Sequence, residues 1–234
     1  MSVVVTPMNA AASATQRHPD DRHEARSWLA DQLLEPTKLV FAVVIAESLR
    51  DYREVIVSPI RNDHYIATIA LIGIYLTTVW SWRGWHAAHL KAPYKVVNGT
   101  VLRSEIYRFY ADLAIVIAYA YTLFQVEPLV RDPKHNVVWL LIGYPVIVAL
   151  YGLENVLRRS TYGANQRRTI PIAVTFAAHL LVALGYLLAR QQFTPPKPGS
   201  HDLLWLNGVT LAVVIVVMWG YRQFNEWYKA QIAG

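Results

Sequence analysis

Apolar residues run along the chain in six stretches, with polar residues gathered between them. Each stretch is close to the ~20 positions a helix needs to cross ~30 Å of hydrocarbon. The pattern predicts helices over residues 38–57, 64–83, 107–126, 137–154, 170–189 and 203–222. The second and sixth have uncharged centres, the third holds Asp112, the fourth has Pro145 in its middle, and the fifth has His179 as its one ionisable group. The fold class expected is therefore all-α, a polytopic integral membrane protein of six transmembrane helices.

The first stretch is mixed. Apolar residues fill Leu39 to Ala46, and then Glu47, Arg50, Asp51, Arg53 and Glu54 follow within two turns. At 100° per residue, Glu47, Arg50, Asp51 and Glu54 share an arc of about 100°. Ile45, Leu49, Tyr52 and Ile56 take the opposite face. The i,i+3 and i,i+4 spacings let the charges pair along that arc. A charge at mid-bilayer is costly, so the stripe is expected to face the bundle interior or water, with its apolar back toward lipid or other helices.

Lys and Arg decide the orientation. With residues 38–57 spanning, one side of the membrane carries 15 of the 22 basic residues and the other 7. Without that span the division is 11 against 11. The bias favours six spans with both termini cytoplasmic. Outside the membrane domain (36–228), residues 1–23 are small and polar and read as a disordered tail. Residues 24–35 place Trp28, Leu29 and Leu33 on one face, as an interfacial amphipathic helix would. The 83–108 loop has room for a small cytoplasmic helix.

Composition narrows the classes. The 234 residues are 54% hydrophobic and 16% charged, against about 25% charged in soluble domains. There is no cysteine, which removes disulfides, thiolate metal sites and thiol catalysis. The net charge of +6 fits loops that face anionic headgroups. Trp80, Trp82, Trp85, Trp205, Trp219 and Trp227 lie near span ends, as an aromatic belt does, so no nucleic-acid partner is expected. The setting expected is the bacterial inner membrane.

Candidate chemistry comes from the polar groups inside spans. By a rise of ~1.5 Å per residue, Glu47, Asp112, His179, Thr77 and Thr78 fall ~6–16 Å from the nearest basic residue on the cytoplasmic side. With Asp51 on the charged arc, they form a candidate ion or proton path. Arg108, one turn before Asp112, offers an interfacial ion pair as the alternative for that residue. Arg158, Arg159, Arg167 and Arg168 flank a small polar turn and suit an anionic lipid headgroup or a ligand. His86 and His89 read as solvated and make only half a metal site, so no metal is expected. A haem would need a second deep histidine beside His179, so no cofactor is expected either. "NGT" (98–100) matches a glycosylation sequon, but the topology places it in the cytoplasm. No nucleophile elbow, P-loop or dinucleotide fingerprint occurs, and the chain is not expected to be an enzyme.

The stretch "YADLAIVIA" (110–118) is similar, over nine residues, to the aromatic-x-Asp opening of a pore helix in TMEM-type potassium and proton channels. It has Tyr-Ala-Asp where that opening has aromatic-Ser-Asp, and it lies on the third helix instead of the first. No residue role is carried across. The residues themselves point to an oligomeric membrane channel or transporter for a cation or proton, with its path lined by the charged face of helix one. The alternative is a non-catalytic subunit of a larger membrane complex, so the partners expected are lipid, further copies of the chain or other membrane subunits.

Overall fold

The computed structural model describes residues 19–59, 64–91, 94, 96–97, 100–101, 103–162, 169–193 and 201–233. The helices are α1 (Pro19–Asp51), α2 (Arg53–Val57), α3 (Tyr65–Lys91), α4 (Arg103–Phe124), α5 (Glu127–Arg131), α6 (Val138–Tyr162), α7 (Thr169–Gln192) and α8 (Asp202–Ala233). Between α3 and α4 lies a two-residue antiparallel ladder of β1 (Val96–Val97) and β2 (Thr100–Val101), pairing Val96 with Val101 and Val97 with Thr100. This hairpin stands where a small cytoplasmic helix had room, because α3 runs on to Lys91 and shortens the connection. Residues 1–18 of the expected tail lie outside the described residues, and α1 already includes residues 19–23.

Among the described residues, five helical segments are long and apolar enough to cross a membrane: Tyr65–His89, Arg103–Arg131, Val138–Ser160, Thr169–Gln192 and Asp202–Tyr228. They coincide with five of the six expected spans, and the chain has the make-up of an integral membrane protein. The exception is α1, whose charges keep it out of that set on composition.

The five form a ring. α4 packs on α6, α6 on α7, α7 on α8, α8 on α3, and α3 again on α4. α1 lies outside the ring against α4. It also reaches α3, where Phe41 stacks on Trp82 at 4.5 Å and Ser48 Oγ is 3.0 Å from Tyr75 Oη, and α2 continues the contact with the Val55 carbonyl 3.5 Å from Thr68 Oγ1. Each seven-residue step along α1 and α2 meets a seven-residue step back along α3, so the two segments run antiparallel side by side.

The two ends of the ring differ in chemistry. Toward α5 the core is apolar, built from Val55, Ile66, Leu71, Leu123, Val126, Leu129 and Leu140. Asn207 pins this end: its buried amide donates to the carbonyls of Pro133 and His135 at 2.9 Å and accepts from Tyr186 at 3.0 Å. Toward the hairpin the interior is ionic.

The packing selects one of the two directions open to the charged face of α1. Ser48, Tyr52 and Val55 are buried against the bundle, and Tyr52 donates to the Leu123 carbonyl at 2.9 Å. The Glu47–Arg50–Asp51 stripe therefore faces away from the ring.

Candidate functional site

The inward seam of α4 reads Glu105, Arg108, Asp112, Ile115, Tyr119, Thr122. Steps of three and four alternate, so all six share one helix face. The charged half lies at the hairpin end. α6 runs the other way and presents Tyr144, Ile147, Tyr151, Glu154 and Arg158 in the same rhythm. Because the two helices pack together, acidic and basic residues from both meet at one end of the ring.

Arg108 is the centre of this cluster and is fully buried. Its Nε donates to Glu154 Oε1 at 3.1 Å and its Nη1 to Glu105 Oε2 at 3.2 Å. Arg158 donates from Nε to the same Glu154 oxygen at 3.0 Å. The Arg108 guanidinium also lies over the Tyr94 ring, 5.0 Å from its centroid. Breaking one partner out of such a group leaves a buried charge uncompensated, which is far costlier than never having built the pair.

Asp112 sits beside this group and turns to other partners. Tyr94 donates to its Oδ2 at 2.6 Å, and His89 Nε2 is 3.1 Å from the same oxygen. His89 Nδ1 lies 3.0 Å from the Trp85 carbonyl. A carbonyl only accepts, so Nδ1 carries a proton. The Nε2–Oδ2 contact is then a hydrogen bond only when the pair holds one more proton, shared between imidazole and carboxyl. The charges agree: Glu105, Asp112 and Glu154 face Arg108 and Arg158, and that additional proton brings the five carboxylates and guanidiniums to balance. Burial, and after it the Asp112 charge, push the Tyr94 phenol far above its ordinary value. Among the described residues, two buried oxygens of the cluster, Glu105 Oε1 and Asp112 Oδ1, have no hydrogen-bond partner, nor does Trp85 Nε1.

A hydroxyl-rich layer continues from the cluster into the ring. Tyr119 donates a hydrogen bond to Ser81. Tyr144 stacks on His179 with ring centroids 5.7 Å apart. His179 Nδ1 donates to the Thr175 carbonyl at 2.8 Å, while its buried Nε2 has no partner. Thr77 donates to the Gly73 carbonyl at 2.7 Å, and the buried Thr78 hydroxyl is also without a partner. On α7, Tyr186 and Arg190 follow His179 along the same face and are joined by a 2.9 Å hydrogen bond.

The residues expected to form a path thus fall into two places. Asp112, His179, Thr77 and Thr78 are all inside the ring. Glu47 and Asp51 are outside it, 50% and 54% exposed at their side chains, each paired with Arg50 of their own helix. Arg158, expected at headgroups, is buried against Glu154 instead. Arg159 donates to Thr169 Oγ1 at 2.6 Å, and Arg167 and Arg168 lie outside the described residues. The alternative for Asp112 does not hold as written, because Arg108 takes Glu105 and Glu154 as its hydrogen-bonded partners and Asp112 takes His89 and Tyr94.

His89, read as solvated, is 3% exposed and is a member of the site. Glu105, Arg108 and Glu154 were likewise invisible as a group. Their signal was the three–four alternation of ionisable residues on two predicted spans. Trp82 and Trp85, assigned to the belt, stack in a row from Phe41 to His89, whereas Trp205, Trp219 and Trp227 are exposed.

Comparison with protein-family models, with curated proteins and with solved structures finds no match to this chain. Among the described residues no group of three or more His, Asp or Glu side chains is placed to hold a metal ion.

Proposed function

We propose that the protein is a membrane channel or transporter for protons, with the path inside the ring of each chain. The observation that supports this most is the buried His89–Asp112–Tyr94 group, whose hydrogen bonds place one proton between imidazole and carboxyl and which continues into a layer of hydroxyls and His179. Protons move along such groups without the open bore that a hydrated metal cation needs. Asp112 is the proton-holding carboxylate, His89 its partner, and His179 the relay nearer the middle of the membrane. The steps from Asp112 to Tyr151 and from Tyr119 to Tyr144 need bridging waters.

On this reading the path leaves the charged face of helix one, where the sequence had put it. The same reading takes α1 as a sixth span, because it runs beside the apolar α3 from the level of Trp82 to that of Thr68. Six spans put the hairpin end in the cytoplasm by the Lys and Arg bias, and the bilayer we propose is the bacterial inner membrane.

A non-catalytic subunit is the second reading, favoured by the outward-facing charged stripe of α1. Proton flux into liposomes separates the two. A conducting protein loses flux in Asp112→Asn and in His179→Phe, which keeps the aromatic stack, and an inert subunit gives only leak in every form.

A further inference from the structure

The outward stripe of α1 has a definite depth. The contacts of Phe41 with Trp82, Ser48 with Tyr75 and Val55 with Thr68 set Ala46 level with Thr77, the midpoint of the Tyr65–His89 candidate span. Glu47, Arg50 and Asp51 then lie one, four and five residues from the middle of that span. At ~1.5 Å per residue all three are within about 8 Å of mid-span. Yet the Arg50 side chain is 73% exposed, and those of Glu47 and Asp51 about half.

The surface around them is not one that faces water along its length. On the turns before, the same side of α1 exposes Leu39, Val40 and Val43. Leu39, Val43, Ala46 and Arg50 follow one another by four, three and four residues, which makes a single seam along the helix. An apolar seam that ends in an ion-paired stripe at mid-span is a surface to be covered, since hydrocarbon solvates neither partner of the pair.

We propose that the cover is a second copy of this chain, joined about a two-fold axis through the outward face of α1. The sign pattern is the reason for choosing a copy over another protein. Glu47, Arg50 and Asp51 alternate acid, base, acid, so the face complements itself: Arg50 of either copy meets the acids of the other, and each contact occurs twice. Ala46, with no side chain beyond Cβ, lets the two helices approach at the centre of the seam. The proposal concerns the exterior of the chain and stands whether or not the interior conducts protons.

The absence of cysteine makes the test direct. Val43→Cys and Ala46→Cys are each introduced singly and oxidised in native membranes, beside Leu181→Cys, which is 68% exposed on α7. The result expected is a covalent dimer for one or both α1 positions, several times more abundant than for Leu181→Cys. Adding Arg50→Glu to the cross-linking variant leaves the stripe entirely acidic and should cut the dimer severalfold. Equal cross-linking at α1 and α7, or bands only of α1 joined to a different protein, overturns the proposal. Should Arg50→Glu fail to accumulate, the comparison of the single-cysteine chains still decides it.

Discussion

Arg108 holds three structural units together at one point. Its guanidinium bonds Glu105 on its own helix, Glu154 on α6, and packs on Tyr94, which precedes the hairpin. None of these groups can turn to solvent. Arg108→Ala leaves Glu105 buried without its cation and Glu154 with Arg158 alone, and should cost about 3–5 kcal/mol of stability. Thermal unfolding in detergent, compared with exposed Arg131→Ala, measures it; Arg131 pairs only at the surface with Glu127 and its loss should be near neutral. An Arg108→Ala transition no lower than that of Arg131→Ala contradicts the account of this cluster. Tyr94 adds a pH dependence. Its phenol is raised above the ~10 of an exposed tyrosine. A raised value means the folded state keeps a proton that the unfolded chain gives up, so its share of stability is full below about pH 10 and declines as pH rises beyond it. Wild type should therefore lose stability above pH ~10 more steeply than Tyr94→Phe, as read by unfolding midpoints across that range.

How much could be read in advance differs by residue for a physical reason. Asp112 and His179 stood out because each interrupts an apolar run, and both are indeed inside the ring. His89, Glu105, Glu154 and Arg158 lie at span ends, where ionisable residues are ordinarily solvated, and only the packing of α3 and α6 on α4 turns them inward. Glu47 was conspicuous for the same reason as Asp112, but its direction depends on which face of α1 meets the bundle. Tyr52 and Ser48 decide that by hydrogen-bonding inward, and no pattern in α1 alone contains that information.

At the level of elements, the close approach of α4 and α6 makes the cluster possible. A Cβ added at Gly143 would run into Thr122, whose hydroxyl is already held by the Ala118 carbonyl at 2.7 Å and cannot swing away freely. Gly143→Ala should thus destabilise the protein by about 1–3 kcal/mol, as overpacking does. Thr122→Ala in the same chain should recover most of the loss, which the two unfolding midpoints would show. A Gly143→Ala midpoint equal to wild type means that the helices are further apart than described. The span positions were legible from apolar run length alone, since lipid demands that length of any crossing helix. The reach of α3 to Lys91 and the β1–β2 hairpin were not, because a short connection between spans is specified by local turn geometry and by Tyr94 docking on Asp112. α1 likewise continues through Pro36, whose missing N–H is tolerated at an exposed position.

For the whole molecule, the architecture divides its polar groups by task. The interior collects the His89–Asp112–Tyr94 group, a hydroxyl layer and the His179 imidazole within a ring of five candidate spans. The exterior keeps the ion-paired Glu47–Arg50–Asp51 stripe on α1, whose charge excludes it from those five. If protons pass through the ring, the interior residues govern flux and the α1 stripe does not. The most direct test is proton flux into liposomes that hold equal amounts of wild type, Asp112→Asn and Glu47→Gln. The account predicts flux in wild type and in Glu47→Gln, and leak alone in Asp112→Asn. Flux that persists in Asp112→Asn but disappears in Glu47→Gln would contradict it and return the path to the face of α1.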